Sequence, residues 1–116
     1  MNITAEAAVD MNPDPYQRIV ITMLYPNIDK AIKEYYGEII RGYDLYDAKI
    51  NNLESSQGWS EFNVTVEVNT FCGAHNPPRA LEILTFHVAL GKEPMLIEYV
   101  HKDIETLKIA ENNLEE

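Results

Sequence analysis

The chain has 116 residues, 46% of them apolar and 24% charged, with 9 Lys and Arg against 19 Asp and Glu for a formal charge of -10. That is enough for one domain around one core. The charge excludes phosphate-led nucleic-acid binding and docking on an anionic bilayer, both of which depend on surplus Lys and Arg. A single cysteine excludes an internal disulfide.

Residues 1–14 are small and polar and predict a flexible lead-in to a single domain over 15–103. No basic and apolar leader is present, although Ala5-Glu6-Ala7 has the spacing of a signal-peptidase site. Asp14-Pro15 predicts a helix start, with Asp14 as N-cap and Pro15 at the first position. Tyr16, Ile19, Val20, Met23 and Leu24 then recur at helical spacing. Pro26 is expected to break this helix. A second stripe follows at Ile28, Ala31, Ile32, Tyr35, Tyr36 and Ile39, out of phase with the first. Its polar side offers Asp29–Lys33 and Lys30–Glu34 pairs. The longest apolar run, Ile19 to Tyr25, is far too short to span a membrane.

After Gly42 the period changes from 3.6 to 2. Tyr46, Ala48 and Ile50 predict a first strand, and Asn51 to Gly58 a turn rich in Asn, Ser and Gly. Phe62, Val64, Val66 and Val68 alternate with polar residues and give the strongest strand signal. Leu84, Phe86 and Val88 mark another strand, Gly91 to Pro94 a turn, and Met95 to His101 a last strand. Residues 104–116 predict a short helix or frayed acidic tail. Helices followed by about four antiparallel strands give an α+β fold, a helix pair broken at Pro26 packed on a curved sheet.

Between the two best strands lies Cys72-Gly73-Ala74-His75-Asn76-Pro77-Pro78-Arg79. Cys72 and His75 have half the spacing of a zinc site, and His87 or His101 would have to complete it from the strands. Cys72 as a nucleophile would need His75 as its base. The plainer reading is a small apolar thiol at a strand end and a loop stiffened by two prolines, with Cys72, His75, Asn76 and Arg79 available as a contact surface. No metal or cofactor is assigned. Hydrolase, metalloprotease, phosphate-loop and dinucleotide motifs are all missing, which weighs against an enzyme without deciding the matter.

Tyr25-Pro26-Asn27-Ile28-Asp29-Lys30-Ala31-Ile32-Lys33-Glu34-Tyr35-Tyr36, Tyr46-Asp47-Ala48-Lys49-Ile50 and the segment from Thr70-Phe71 through His75-Asn76-Pro77-Pro78 to Thr85-Phe86 resemble a family of small proteins from Gram-positive spore-forming bacteria that is described as a domain of unknown function. The resemblance covers about residues 16 to 103. It implies export to the cell surface or exterior behind an N-terminal signal, with a cytoplasmic location as the alternative. The order of elements is similar to the cystatin/NTF2-like group, which hosts many activities and assigns none.

Three functional readings follow. The first is a non-catalytic module that binds a partner protein or itself through its open sheet face, at Leu81 and Ile83, or through the 72–79 loop. The second is a small-ligand binder or enzyme with a pocket between helix and sheet, lined by Tyr35, Tyr36, Tyr46, Phe62 and Phe86 with His87 or His101 as a polar group. The third is a metal site at Cys72 and His75.

Overall fold

The computed structural model describes residues 14–38, 41–72 and 76–104. The expected lead-in before Asp14 and the expected tail beyond Ile104 lie outside the described residues, as does His75. One helix, α1 (Pro15–Tyr36), precedes five strands: β1 (Gly42–Tyr43), β2 (Lys49–Gln57), β3 (Glu61–Cys72), β4 (Asn76–Ala89) and β5 (Met95–Asp103). The fold is α+β, a single helix on an open antiparallel sheet. The sheet order is β1-β3-β4-β5, and β2 pairs with the same edge of β3 further along. Among the described residues no helix is long and apolar enough to cross a membrane.

The start of α1 follows the sequence. Asp14 Oδ1 accepts the Tyr16 backbone N–H at 2.9 Å, and Pro15 occupies the first turn. At the other end Gly37 takes φ 65° and its N–H bonds the Lys33 carbonyl. Positive φ suits glycine, so the helix stops there.

The expected helix pair is replaced by one continuous helix, with Pro26 inside it. The buried positions explain the continuity. Ile21, Leu24, Ile28, Ala31 and Ile32 form one stripe that runs past the proline at helical spacing. Pro26 is itself exposed, as is Thr22, the residue one turn earlier whose carbonyl loses its partner. The stripe read from Tyr16, Ile19, Val20, Met23 and Leu24 is a different one. Only Leu24 of that set is buried, while Tyr16, Ile19 and Met23 stay 78%, 55% and 73% exposed.

In the sheet, alternation sets the faces. Val64, Val66 and Val68 of β3 and Leu84 and Phe86 of β4 pack with the helix stripe into one core. The opposite face carries Asn63, Thr65 and Glu67 beside Ile83, Thr85 and His87, with Thr65 and Thr85 hydroxyls 2.9 Å apart. Register shifts interrupt the ladders between Ile50 and Asn52, Ser55 and Gln57, Thr70 and Cys72, and Thr85 and Phe86. An extra residue on one strand of a pair bends it and adds twist.

The expected first strand and turn are also revised. Residues 49–57 form β2, and the turn is confined to Gly58–Ser60. Asn and Ser are poor strand formers, but pairing with β3 from Lys49↔Glu67 to Gln57↔Glu61 overrides that preference. Ala48, expected on a strand, lies in the bend before β2 and is buried. β1 is only two residues long, and Gly42 there faces Phe71 so closely that a Cβ would lie 2.7 Å from the ring. The 72–79 segment is tighter than a long loop, because β3 and β4 pair as far as Cys72↔Asn76. Pro77 and Pro78 fall in β4 beyond the last residue paired with β5, where a missing N–H disturbs no ladder on that side.

Candidate functional site

Two places concentrate unusual chemistry, one at the C-terminal end of α1 and one along its middle. The first is built around Glu82, which is fully buried on the helix side of β4. Its carboxylate accepts from the Tyr36 hydroxyl at the end of α1 and from the Thr70 hydroxyl on β3 at 2.8 Å. His101 on β5, directly opposite in register, places Nδ1 at 3.1 Å and 3.2 Å from the two carboxylate oxygens. His101 Nε2 lies 2.9 Å from Asp103.

Arg41 extends the network. Its Nε donates to the Thr70 hydroxyl at 3.2 Å, its Nη1 reaches Cys72 Sγ at 3.0 Å, and its guanidinium lies over the Tyr36 ring at 5.1 Å. Tyr35 caps the cluster, stacked on Tyr99 at 4.5 Å and on His101 at 5.4 Å. A charged group taken out of water is tolerated only with such partners. The titration behaviour follows. Burial, and then donation to Glu82, raises the Tyr36 pKa to about 12. Burial raises Tyr99 as well, with the Glu82 charge acting the same way, although the buried Tyr99 hydroxyl makes no bond of good geometry. For His101, burial pulls the pKa down, but hydrogen bonds to Glu82 and Asp103 outweigh it and the net direction is up.

The second place is a groove of about 840 Å³ between the stretch of α1 from Val20 to Lys30 and the far end of the sheet. Val20, Met23 and Leu24 line it from the helix, and Leu53, Phe62, Val64 and Val88 from β2, β3 and β4. Its polar residues are Asn27 and Lys30 on α1 with Lys92 and Glu93 in the β4–β5 turn. The Asn27 amide is 3.5 Å from the Pro94 carbonyl, which ties the helix to that turn. Such a trough, apolar with a few polar groups, has the size and character of small-molecule sites.

The residues singled out from sequence are distributed among these places. Phe62 lines the groove, and Tyr35 and Tyr36 belong to the Glu82 cluster. Phe86 is core, and Tyr46 is exposed in the bend before β2. His87 lies on the opposite sheet face, bonded to Asn63 at 2.9 Å and 3.3 Å from Glu61. His87 and His101 therefore face opposite ways across the sheet, and no single ion could draw on both. Cys72 is half-buried against Arg41, and Arg79 is exposed. His75 and the side chain of Asn76 lie outside the described residues. Among the described residues no cluster of three or more His, Cys, Asp or Glu is placed to hold a metal.

Sequence reasoning missed Glu82, Thr70 and Arg41. A signal for the first two was present. Extending the inward alternation Val64-Val66-Val68 by two residues reaches Thr70, and extending Val88-Phe86-Leu84 backwards reaches Glu82. A carboxylate at an inward strand position has to be paired. Arg41 gave no such signal, because its role depends on the turn after α1.

Residues 16–103 match the family described as Protein of unknown function (DUF3888). The chain belongs to the DUF3888 family. Comparison with curated proteins and with solved structures returns no match.

Proposed function

We propose that this DUF3888 domain is a non-catalytic binding module whose site is the groove between α1 and the sheet, taking a small apolar ligand. The observation that carries the reading is the groove itself, about 840 Å³ with apolar walls from helix and sheet. Exposure of Met23 and Leu53 at 73% and 58% on its two sides supports it, since large apolar side chains left in water beside a cavity gain from an occupant. The Glu82 cluster serves as scaffold in this reading. Its donors are directed at the buried carboxylate, and none of its residues lines the groove. An exported, bacterial, surface or extracellular setting belongs to the proposal, resting on the family resemblance and the acidic composition. A helix laid on a bulged antiparallel sheet supports the cystatin/NTF2-like analogy as an arrangement only.

A partner-binding or self-assembling module is the second reading, favoured by the adjacency of Leu81, Ile83 and Val100 on the open sheet face. That patch is bordered by Glu67, Asn69, Thr85 and Lys102. Three side chains fall well short of the roughly 800 Å² per partner of a standard interface.

The test is titration with N-phenyl-1-naphthylamine, a neutral apolar fluorophore. Saturable binding that weakens at least tenfold in Leu53→Asp supports the groove. Equal binding by both proteins, or none by either, overturns it.

A further inference from the structure

The groove is not uniform along its length. Val20, Leu53, Phe62 and Val88 give apolar walls, while its polar lining residues gather at one rim. Asn27 and Lys30 are one turn apart on α1, and the Asn27–Pro94 contact brings that stretch against the turn holding Lys92 and Glu93. Among the lining residues two ammonium groups stand against one carboxylate, with Glu34 outside the lining beside Lys30, in a chain whose 9 cations are outnumbered by 19 anions. The Lys30 ammonium is held only loosely, 3.9 Å from an exposed Glu34. A peptide in the trough would leave backbone N–H and C=O groups against apolar walls without partners. A hydrocarbon chain has no such groups to satisfy.

We infer that the ligand is a single-chain amphiphile with an anionic head group, its tail in the trough and its head at Lys30 and Lys92. This rests on the groove being the binding site. Complementary charge at the rim fixes the orientation and discriminates between head groups, and the apolar walls supply affinity in proportion to tail length.

The test displaces N-phenyl-1-naphthylamine with decanoate, decanol and decyltrimethylammonium, all as monomers below their micelle-forming concentrations and at low salt. Decanoate is expected to bind tightest, at least tenfold above decyltrimethylammonium. From octanoate to dodecanoate, affinity should rise about fourfold per methylene. The double variant Lys30→Gln with Lys92→Gln should lose the head-group preference and keep the fluorophore. If the fluorophore binds but the cationic amphiphile equals or exceeds decanoate, this inference falls and the groove remains a binding site. If the fluorophore does not bind, both fall. Trp59, the single tryptophan, is exposed in the β2–β3 turn and reports a further outcome. A blue shift of its emission on zwitterionic vesicles, with no binding of monomeric decanoate, would make this end a membrane contact and overturn the inference.

Discussion

The two halves of α1 meet the same sheet in opposite ways. The C-terminal half buries Ile28, Ala31 and Ile32 against the valines of β3 and ends in Tyr36, whose hydroxyl completes the shell around Glu82. The N-terminal half buries Ile21 and Leu24 and leaves Tyr16, Ile19 and Met23 in water, with Met23 lining the groove. One end is closed by apolar packing and a hydrogen-bonded carboxylate, the other is open with apolar walls. In the proposed reading stability and binding are separated along one helix, and a substitution should affect one or the other according to which part it touches.

The largest effect is expected at the closed end. Glu82→Ala would strand Tyr36, Thr70 and His101 around an empty buried site, and should cost about 3–5 kcal/mol in urea unfolding. Ile28→Ala removes most of a fully buried side chain and should cost roughly 2–5 kcal/mol. Its counterpart at the open end, Met23→Ala, should change stability by no more than about 0.5 kcal/mol while weakening fluorophore binding. A Met23→Ala protein destabilised as much as Ile28→Ala would erase the contrast between the two halves.

The closed end should also carry a pH dependence. His101 has a folded pKa raised above its ordinary value near 6.5, so the folded state holds more protons than the unfolded state just above that pH. Its contribution is fully present below about 6.5 and is lost as pH rises through the folded pKa. Urea midpoints measured between pH 6 and 8 should therefore fall with rising pH, and the fall should be smaller in His101→Gln. A midpoint that rises over this window in the unmutated protein, with the rise abolished in His101→Gln, would reverse the assigned sign. The smallest effect belongs to the surface. Lys30→Ala removes an exposed pair at 3.9 Å and should move stability by less than about 0.5 kcal/mol.

How far the sequence specifies all this depends on how local each feature is. The helix start was readable, because Asp14 and Pro15 act within one turn. The β3 alternation was readable for the same reason, since each strand residue declares its face by parity. Pro26 misled because a proline's local preference was outweighed by a stripe, Ile21 to Ile32, that packs on both sides of it. The segment Asn51 to Gln57 misled because pairing with β3 comes from distant residues. Glu82 was legible only by carrying the inward pattern of β4 past its last apolar member. A pocket between helix and sheet was anticipated, but its lining was not. Its walls come from α1, β2, β3 and β4, and Phe62 alone among the proposed pocket residues reached it. The exposed stripe of Tyr16, Ile19 and Met23 was visible as a pattern, yet sequence cannot say whether such a stripe meets core or water.

The most direct measurement is a two-dimensional amide NMR titration with N-phenyl-1-naphthylamine. Shifts concentrated at Val20, Met23, Leu53, Phe62 and Val88, with Glu82 and His101 unmoved, are what a groove at the open end and a scaffold at the closed end require. Shifts centred on Tyr36, Glu82 and His101, or on Ile83 and Val100 across the open sheet face, would contradict it.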